Sequence, residues 1–272
     1  MLSILNRSSK LSSVHHDQQS VSVQFRQVIQ LTKASLKTRY RNTWSGYLWV
    51  LLNPIFIYSA QSFAFHFILK INLDNYSLFL ALGLLPWIFI VSSIEMSTSI
   101  LLTNSRLLKS FPLQPLTLIF SQILDNFINY ASAFIVLLVP IAIWTNWSLY
   151  KIVFLILPLL SLFVFVSACC FLFAQIHVFF RDTKFILNFV LQVAFYITPI
   201  FYPEQLIPEN MRWLLRINIF YYIIKPFQIL TSEWTLTNYL NSVCYSWLIS
   251  LAILGLSILF WKKKRNELYF YF

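Results

Sequence analysis

The sequence predicts an all-α integral membrane protein, and three observations carry that prediction. Hydrophobic residues make up 58% of the 272 positions, charged residues only 11%, and the apolar positions collect into runs long enough to cross a bilayer. The net charge of +11 sits beside these runs and does not interleave with polar, base-reading side chains. It therefore reads as membrane topology and attraction to anionic lipid, with no nucleic-acid partner.

Residues 1–24 are polar, with His15, His16 and Asp17 among them, and lack the charged-apolar-small pattern of a cleaved leader. They form an expected cytoplasmic tail ahead of a single membrane domain, 25–272. Arg26, Gln30, Lys33, Lys37 and Arg41 then recur at helical spacing, with Phe25, Val28, Ile29, Leu36 and Tyr40 towards the opposite face. That pattern predicts an amphipathic helix at the cytoplasmic interface. Trp44, Tyr47 and Trp49 follow it as headgroup-level aromatics, and Asn53-Pro54 predicts a kink in the first span.

Six segments meet the length of a span, at about 44–69, 78–101, 116–144, 152–180, 185–202 and 243–261. With the N-terminus in the cytoplasm, fifteen of the twenty lysines and arginines fall inside. Lys70, Lys151, Arg212, Arg216 and Lys225 fall outside, so both termini are predicted to be cytoplasmic. Between spans five and six, the stretch 211–230 is apolar but interrupted by Arg216, Lys225 and Pro226. Neither half can span, which predicts an outer re-entrant helix pair, with an amphipathic surface helix as the alternative.

Chemistry is sparse. Three glycines, Gly46, Gly83 and Gly255, leave no room for a glycine-rich phosphate loop, so ATP hydrolysis is not expected in this chain. His66 and His177 stand on different spans without ligand-spaced partners, so no metal or other cofactor is expected here. Cys169, Cys170 and Cys244 lie in apolar stretches and read as packing residues. Glu95 and Asp125 are the intramembrane acids, and an isolated carboxylate at mid-bilayer costs about 2.5–3.5 kcal/mol. They read either as the polar wall of a conduit or as partners of Ser, Thr or Asn on a neighbouring helix. Of the 50 aromatics, Phe63, Phe67, Tyr196 and Tyr202 on spans one and five are candidates to line a path for sugars.

Three fragments in order, "LKTRYRNTWSGYLWVLLNP" at 36–54, "NSRLLKSFPLQPL" at 104–116 and "FFRD" with "TPIFYP" between 179 and 203, resemble the membrane subunit of a type-two ABC exporter of polysaccharides. That class includes O-antigen, capsule and teichoic acid permeases. The resemblance implies a homodimer in the inner membrane, each copy engaging a cytoplasmic ABC ATPase that holds ATP and magnesium. The cargo it implies is a lipid-linked polysaccharide. It places a headgroup-binding segment at Lys37, Arg39, Tyr40 and Arg41. The ATPase-coupling element falls at Asn104, Arg106, Lys109, Phe111 and Pro112, with a second contact at Arg181 and Asp182. Where the family often has Asn-Pro in the outer pair, this chain has Asn218-Ile219.

Two other readings of the residues stand beside this one. The first is a type-two exporter of a small lipid or drug. The second, from a different class, is a membrane-embedded transferase acting on lipid-linked sugars, for which Glu95 and Asp125 are the available acids. A purely structural membrane anchor explains none of the three fragments.

Overall fold

The computed structural model describes residues 21–40, 46–68, 75–111, 113–148, 150–231 and 234–268. Most of the expected tail, together with Arg41, Trp44 and Pro112, lies outside the described residues. Among the described residues every regular element is a helix. In chain order they are α1 (Val21–Tyr40), α2 (Gly46–Ser62, continued by π-helical Phe63–Ile68), α3 (Tyr76–Thr98), α4 (Ile100–Thr103) and α5 (Ser105–Ser110). Then come α6 (Pro115–Trp144), α7 (Tyr150–Phe154), α8 (Ile156–Phe179) and α9 (Thr183–Ile197). The last three are α10 (Trp213–Ile217), α11 (Ile219–Gln228) and α12 (Leu236–Leu268).

Among the described residues four stretches are long and apolar enough to cross a membrane: Tyr76–Thr98, Pro115–Trp144, Tyr150–Phe179 and Leu236–Arg265. Helix α9 is apolar but has 15 residues, and α2 has 17 before its π-helical continuation. Prolines help to set these limits. Pro115 opens α6 at the position where a missing N–H costs nothing, whereas Pro54, Pro86 and Pro140 sit inside helices, where each removes one backbone donor.

Helix α3 is the centre. Most of its circumference is buried, and it packs against α2, α6, α8, α9 and α11. Phe89 stacks on Tyr130 of α6 at 4.9 Å between ring centroids, and Phe127 meets Phe163 of α8 edge-on at 5.2 Å. Where α8 meets α12 the seam is made of serines. The Ser161 and Ser246 hydroxyls lie 2.7 Å apart, and Ser250 donates to the Ser161 carbonyl at 3.0 Å. Small side chains let the two backbones approach, and each such interhelical bond contributes about 0.6 kcal/mol in a bilayer. Cys169 and Cys170 are buried in this core; Cys244 is exposed on α12, so the packing role expected of all three holds for two.

The connection between α9 and α12 contains two short helices, α10 and α11, that meet at Asn218. Its side chain caps α11, accepting from the Phe220 and Tyr221 amides at 3.0 and 3.4 Å, and donates to Thr198 at 2.8 Å. Gly83 of α3 admits this layer. A methyl group there would lie 2.6 Å from Gln228 Nε2 and 2.8 Å from the Ile200 carbonyl. Gln228 instead donates to the Pro199 and Ile200 carbonyls at 3.0 and 3.1 Å, which pins α11 to the end of α9.

Candidate functional site

One end of the bundle gathers the cations. Helix α1 lies along α6 with Val28, Leu31, Thr32 and Ser35 on its inner stripe, while Arg26, Gln30, Lys33 and Lys37 face outward. The amphipathic pattern expected from the sequence is present, but two polar contacts set the docking. Thr32 donates to the Ser121 carbonyl at 3.2 Å, and Ser35 donates to Asp125 Oδ2 at 3.0 Å. Asp125 is fully buried on α6, so its carboxylate meets α1 instead of bulk water. Phe25, assigned to the apolar face, is exposed. Lys37 is exposed at the end of the helix; for Arg39 and Tyr40 the backbone alone is described, continuing α1.

The turn α4–α5 stands at the same end, with α4 packed against α6 and α8. Leu101 and Leu108 anchor it in the core, and the Asn104 side chain donates to the Ile100 carbonyl at 2.9 Å. Arg106, Lys109 and Phe111 are consequently turned outward. Arg181 and Asp182 are exposed in the turn between α8 and α9, which is tightened by Thr183 donating to the Phe180 carbonyl at 2.6 Å. The basic end of α12 joins them, with Lys264 lying 5.6 Å from the Phe179 ring centre. Residues 104–111 and 181–182 therefore stand at the same end of the bundle.

At the other end, α2 and α9 come together through aromatic rings. Phe65 stacks on Phe201 at 4.2 Å, and Phe195 lies 5.4 Å from Phe201 and 5.8 Å from Trp87. Of the four predicted path residues, Phe63 and Tyr196 are exposed, and Tyr202 donates back to the Tyr196 carbonyl at 2.9 Å. The side chain of Phe67 is not among those described. Phe65, Phe195 and Phe201 were not legible as partners, since nothing local marks one ring among 50. Glu95 is half-buried on α3, one turn from Ser92, whose carbonyl accepts from Asn126 of α6 at 3.4 Å.

Sequence reasoning missed a cavity of about 650 Å³ at this second end, between residues 204–205, α10, α11 and the start of α12. Its frame is a three-way bond. Lys225 Nζ sits 2.9 and 2.8 Å from the two oxygens of Glu204 and 2.6 Å from the Tyr221 hydroxyl, which also donates to Glu204. Burial pushes the Glu204 carboxyl up, but the bonds from Lys225 and Tyr221 and the charges of Lys225 and Arg212 outweigh that and hold it below the ordinary value. Arg212, Arg216, Tyr222, Tyr245, Asn238 and Asn241 complete the wall.

Comparison with known proteins fits this geometry. The chain matches the family described as ABC-2 type transporter over residues 26–231. It is 28% identical over 235 residues to an O-antigen export system permease protein RfbA of Klebsiella pneumoniae, covering 85% of this chain and 90% of that one. A second Klebsiella pneumoniae protein of the same name is 26% identical over 243 residues, with the same two coverages. The Myxococcus xanthus protein so named is 30% identical over 185 residues, which is 67% of this chain and 70% of its own. With the family match spanning most of the chain, and four membrane-length helices among the described residues, this protein belongs to the ABC-2 type transporter family.

Proposed function

We propose that this chain is the membrane subunit of an ATP-driven exporter that carries a lipid-linked cell-surface polysaccharide, of O-antigen or capsule type, across the bacterial inner membrane. The observation that carries this reading is the similarity to O-antigen export permeases along 85% of the chain. In this reading α2 and α9 add two spans to the four long ones, giving six, and α10 and α11 form the outer re-entrant pair. The cation-rich end is cytoplasmic, as the positive-inside rule requires. With three glycines and no phosphate loop, the chain takes its driving force from two copies of a cytoplasmic ATPase that hold ATP and magnesium.

Two copies of this protein then share one conduit, and ATP binding in the partner shifts them between its states. The partner must bind those states with different affinity, since equal affinity shifts nothing. Arg106, Lys109 and Phe111, with Arg181 and Asp182, form the surface that the ATPase contacts. Lys37, Arg39, Tyr40 and Arg41 meet the phosphate of the lipid carrier, where guanidinium forks suit a phosphate oxygen pair.

The test is gentle-detergent purification of the tagged protein from its own host, with mass spectrometry of every co-purifying chain. An ATPase subunit at equal stoichiometry is expected, together with intracellular build-up of surface polysaccharide when the gene is deleted. Reproducible absence of both would overturn the reading.

A further inference from the structure

We propose that the cavity framed by Glu204, Tyr221 and Lys225 binds an acidic saccharide unit, with the sugar ring against Tyr222 and Tyr245 and the anionic group at Arg212 and Arg216. The side of the membrane that the cavity faces, and a glycan as what passes it, rest on the export reading above; the lining chemistry is independent of both.

The volume of about 650 Å³ lies within the ~300–1,000 Å³ range of small-molecule sites. Its charge is uneven. Glu204 takes up Lys225 in a bidentate contact, so the carboxylate and the ammonium cancel within the frame. Arg212 reaches Glu209 only at 3.7 Å with both side chains largely in solvent, a pair that contributes little. Arg216 is exposed and has no ion-pair partner among the described residues. Two guanidinium groups are therefore available to an anion, and a planar fork fits a carboxylate or a phosphate oxygen pair.

An anion alone needs no aromatic wall, yet this cavity has one. The Tyr222 ring lies 5.2 Å from Tyr221 and 5.8 Å from Tyr245, at 69° and 50°, open angles that do not stack the rings on one another. The C–H face of a pyranose is apolar and packs on such a ring while its hydroxyls point elsewhere. Exposed Asn238 and Asn241 stand at the adjoining turn of α12, each offering both an acceptor and a pair of donors to vicinal hydroxyls. Cation, ring and amide together describe a carboxylated or phosphorylated sugar better than a neutral sugar or a bare anion.

The test uses the purified full chain in lipid nanodiscs, without any ATPase, and saturation-transfer NMR with three observed probes, glucuronate, glucose 1-phosphate and glucose, and inorganic phosphate as an unobserved competitor. Ring-proton signals from the two acidic sugars are expected, with half-saturation about tenfold weaker for glucose. Arg216→Gln and Tyr222→Ala should each weaken the acidic-sugar signal by about fivefold or more. Both residues stand at the cavity wall, so a matched thermal midpoint certifies the fold of each variant. Equal response to glucuronate, glucose 1-phosphate and glucose, or signals unchanged in both variants, would overturn the assignment. Inorganic phosphate displacing glucose 1-phosphate at equal concentration would also overturn it, leaving an anion site only. Export is scored separately by polysaccharide build-up in cells. Binding without an export defect on gene deletion rejects the export reading and keeps this site; an export defect without binding rejects the site alone.

Discussion

Lys225 Nζ lies 2.9 Å from one carboxylate oxygen of Glu204 and 2.8 Å from the other, so one ammonium bridges a glutamate 21 positions earlier in the chain. That bridge ties the segment after α9 to α11 and forms the floor of the cavity. Glu204→Gln should lower stability by about 1.5–3 kcal/mol, the range for hydrogen bonds to charged groups. Thermal unfolding in detergent checks this. The double variant Glu204→Gln/Lys225→Met should recover part of the loss, because the uncompensated ammonium is gone.

The same bridge predicts a pH dependence with a definite sign. Lys225, Tyr221 and Arg212 hold the Glu204 carboxyl below its ordinary value of 4.5, so its folded form is the more acidic. Its contribution is fully present above pH 4.5 and is lost as pH falls through the lower folded value. The gap in thermal midpoint between the unaltered protein and Glu204→Gln should be constant from pH 7 to 5.5 and close at lower pH. A gap that widens on acidification would contradict the assignment.

Gly83→Ala should destabilise by about 1–3 kcal/mol through overpacking. One obstacle is the Gln228 amide at 2.6 Å and the other the Ile200 carbonyl at 2.8 Å, which is backbone. Shortening Gln228 to Ala in the same chain removes the first alone, so rescue should be incomplete. Complete rescue in a thermal melt would show that the backbone contact is soft.

Ser35 and Asp125 make one of the two polar contacts that dock α1 on α6. Asp125→Leu removes the acceptor and should leave α1 less protected. Trypsin is then expected to cut at Lys33 or Lys37 about fivefold faster or more, as local opening becomes easier. Asp125→Asn keeps an oxygen acceptor for the Ser35 hydroxyl and should stay close to the original rate.

Reversing Arg106 and Lys109 to glutamate should abolish co-purification of the ATPase while leaving the thermal midpoint within a few degrees, because both side chains are exposed. Leu108→Asp should do the opposite and lower the midpoint, since that leucine is buried. Retained ATPase in the charge-reversed protein would remove α4–α5 from the coupling surface.

Much of the architecture is legible in the amino-acid sequence. Runs of some twenty apolar residues announce the long helices. The charges at Arg216 and Lys225 announce that neither half of 211–230 spans alone, and the stretch folds as the short helices α10 and α11, parted at Asn218 and not at Arg216, Lys225 or Pro226. The cations before α2 and in the last turns of α12 are legible for the same reason: they interrupt or border apolar runs, and hydropathy is additive along a chain.

What the sequence by itself determined is therefore the helical class, the membrane setting, the charge asymmetry and, through three ordered fragments, the transporter family. Only the tertiary structure decided that Asp125 meets Ser35, 90 positions away, that Phe65 stacks on Phe201, and that Glu204 and Lys225 close a cavity lined by Arg216 and Tyr245. The physical reason lies in reach. Hydropathy and turn preference act over a few residues, whereas a hydrogen bond or ring contact depends on which faces of two distant helices come to lie together. That choice is made by packing around α3, where Gly83 leaves the space that lets Gln228 approach.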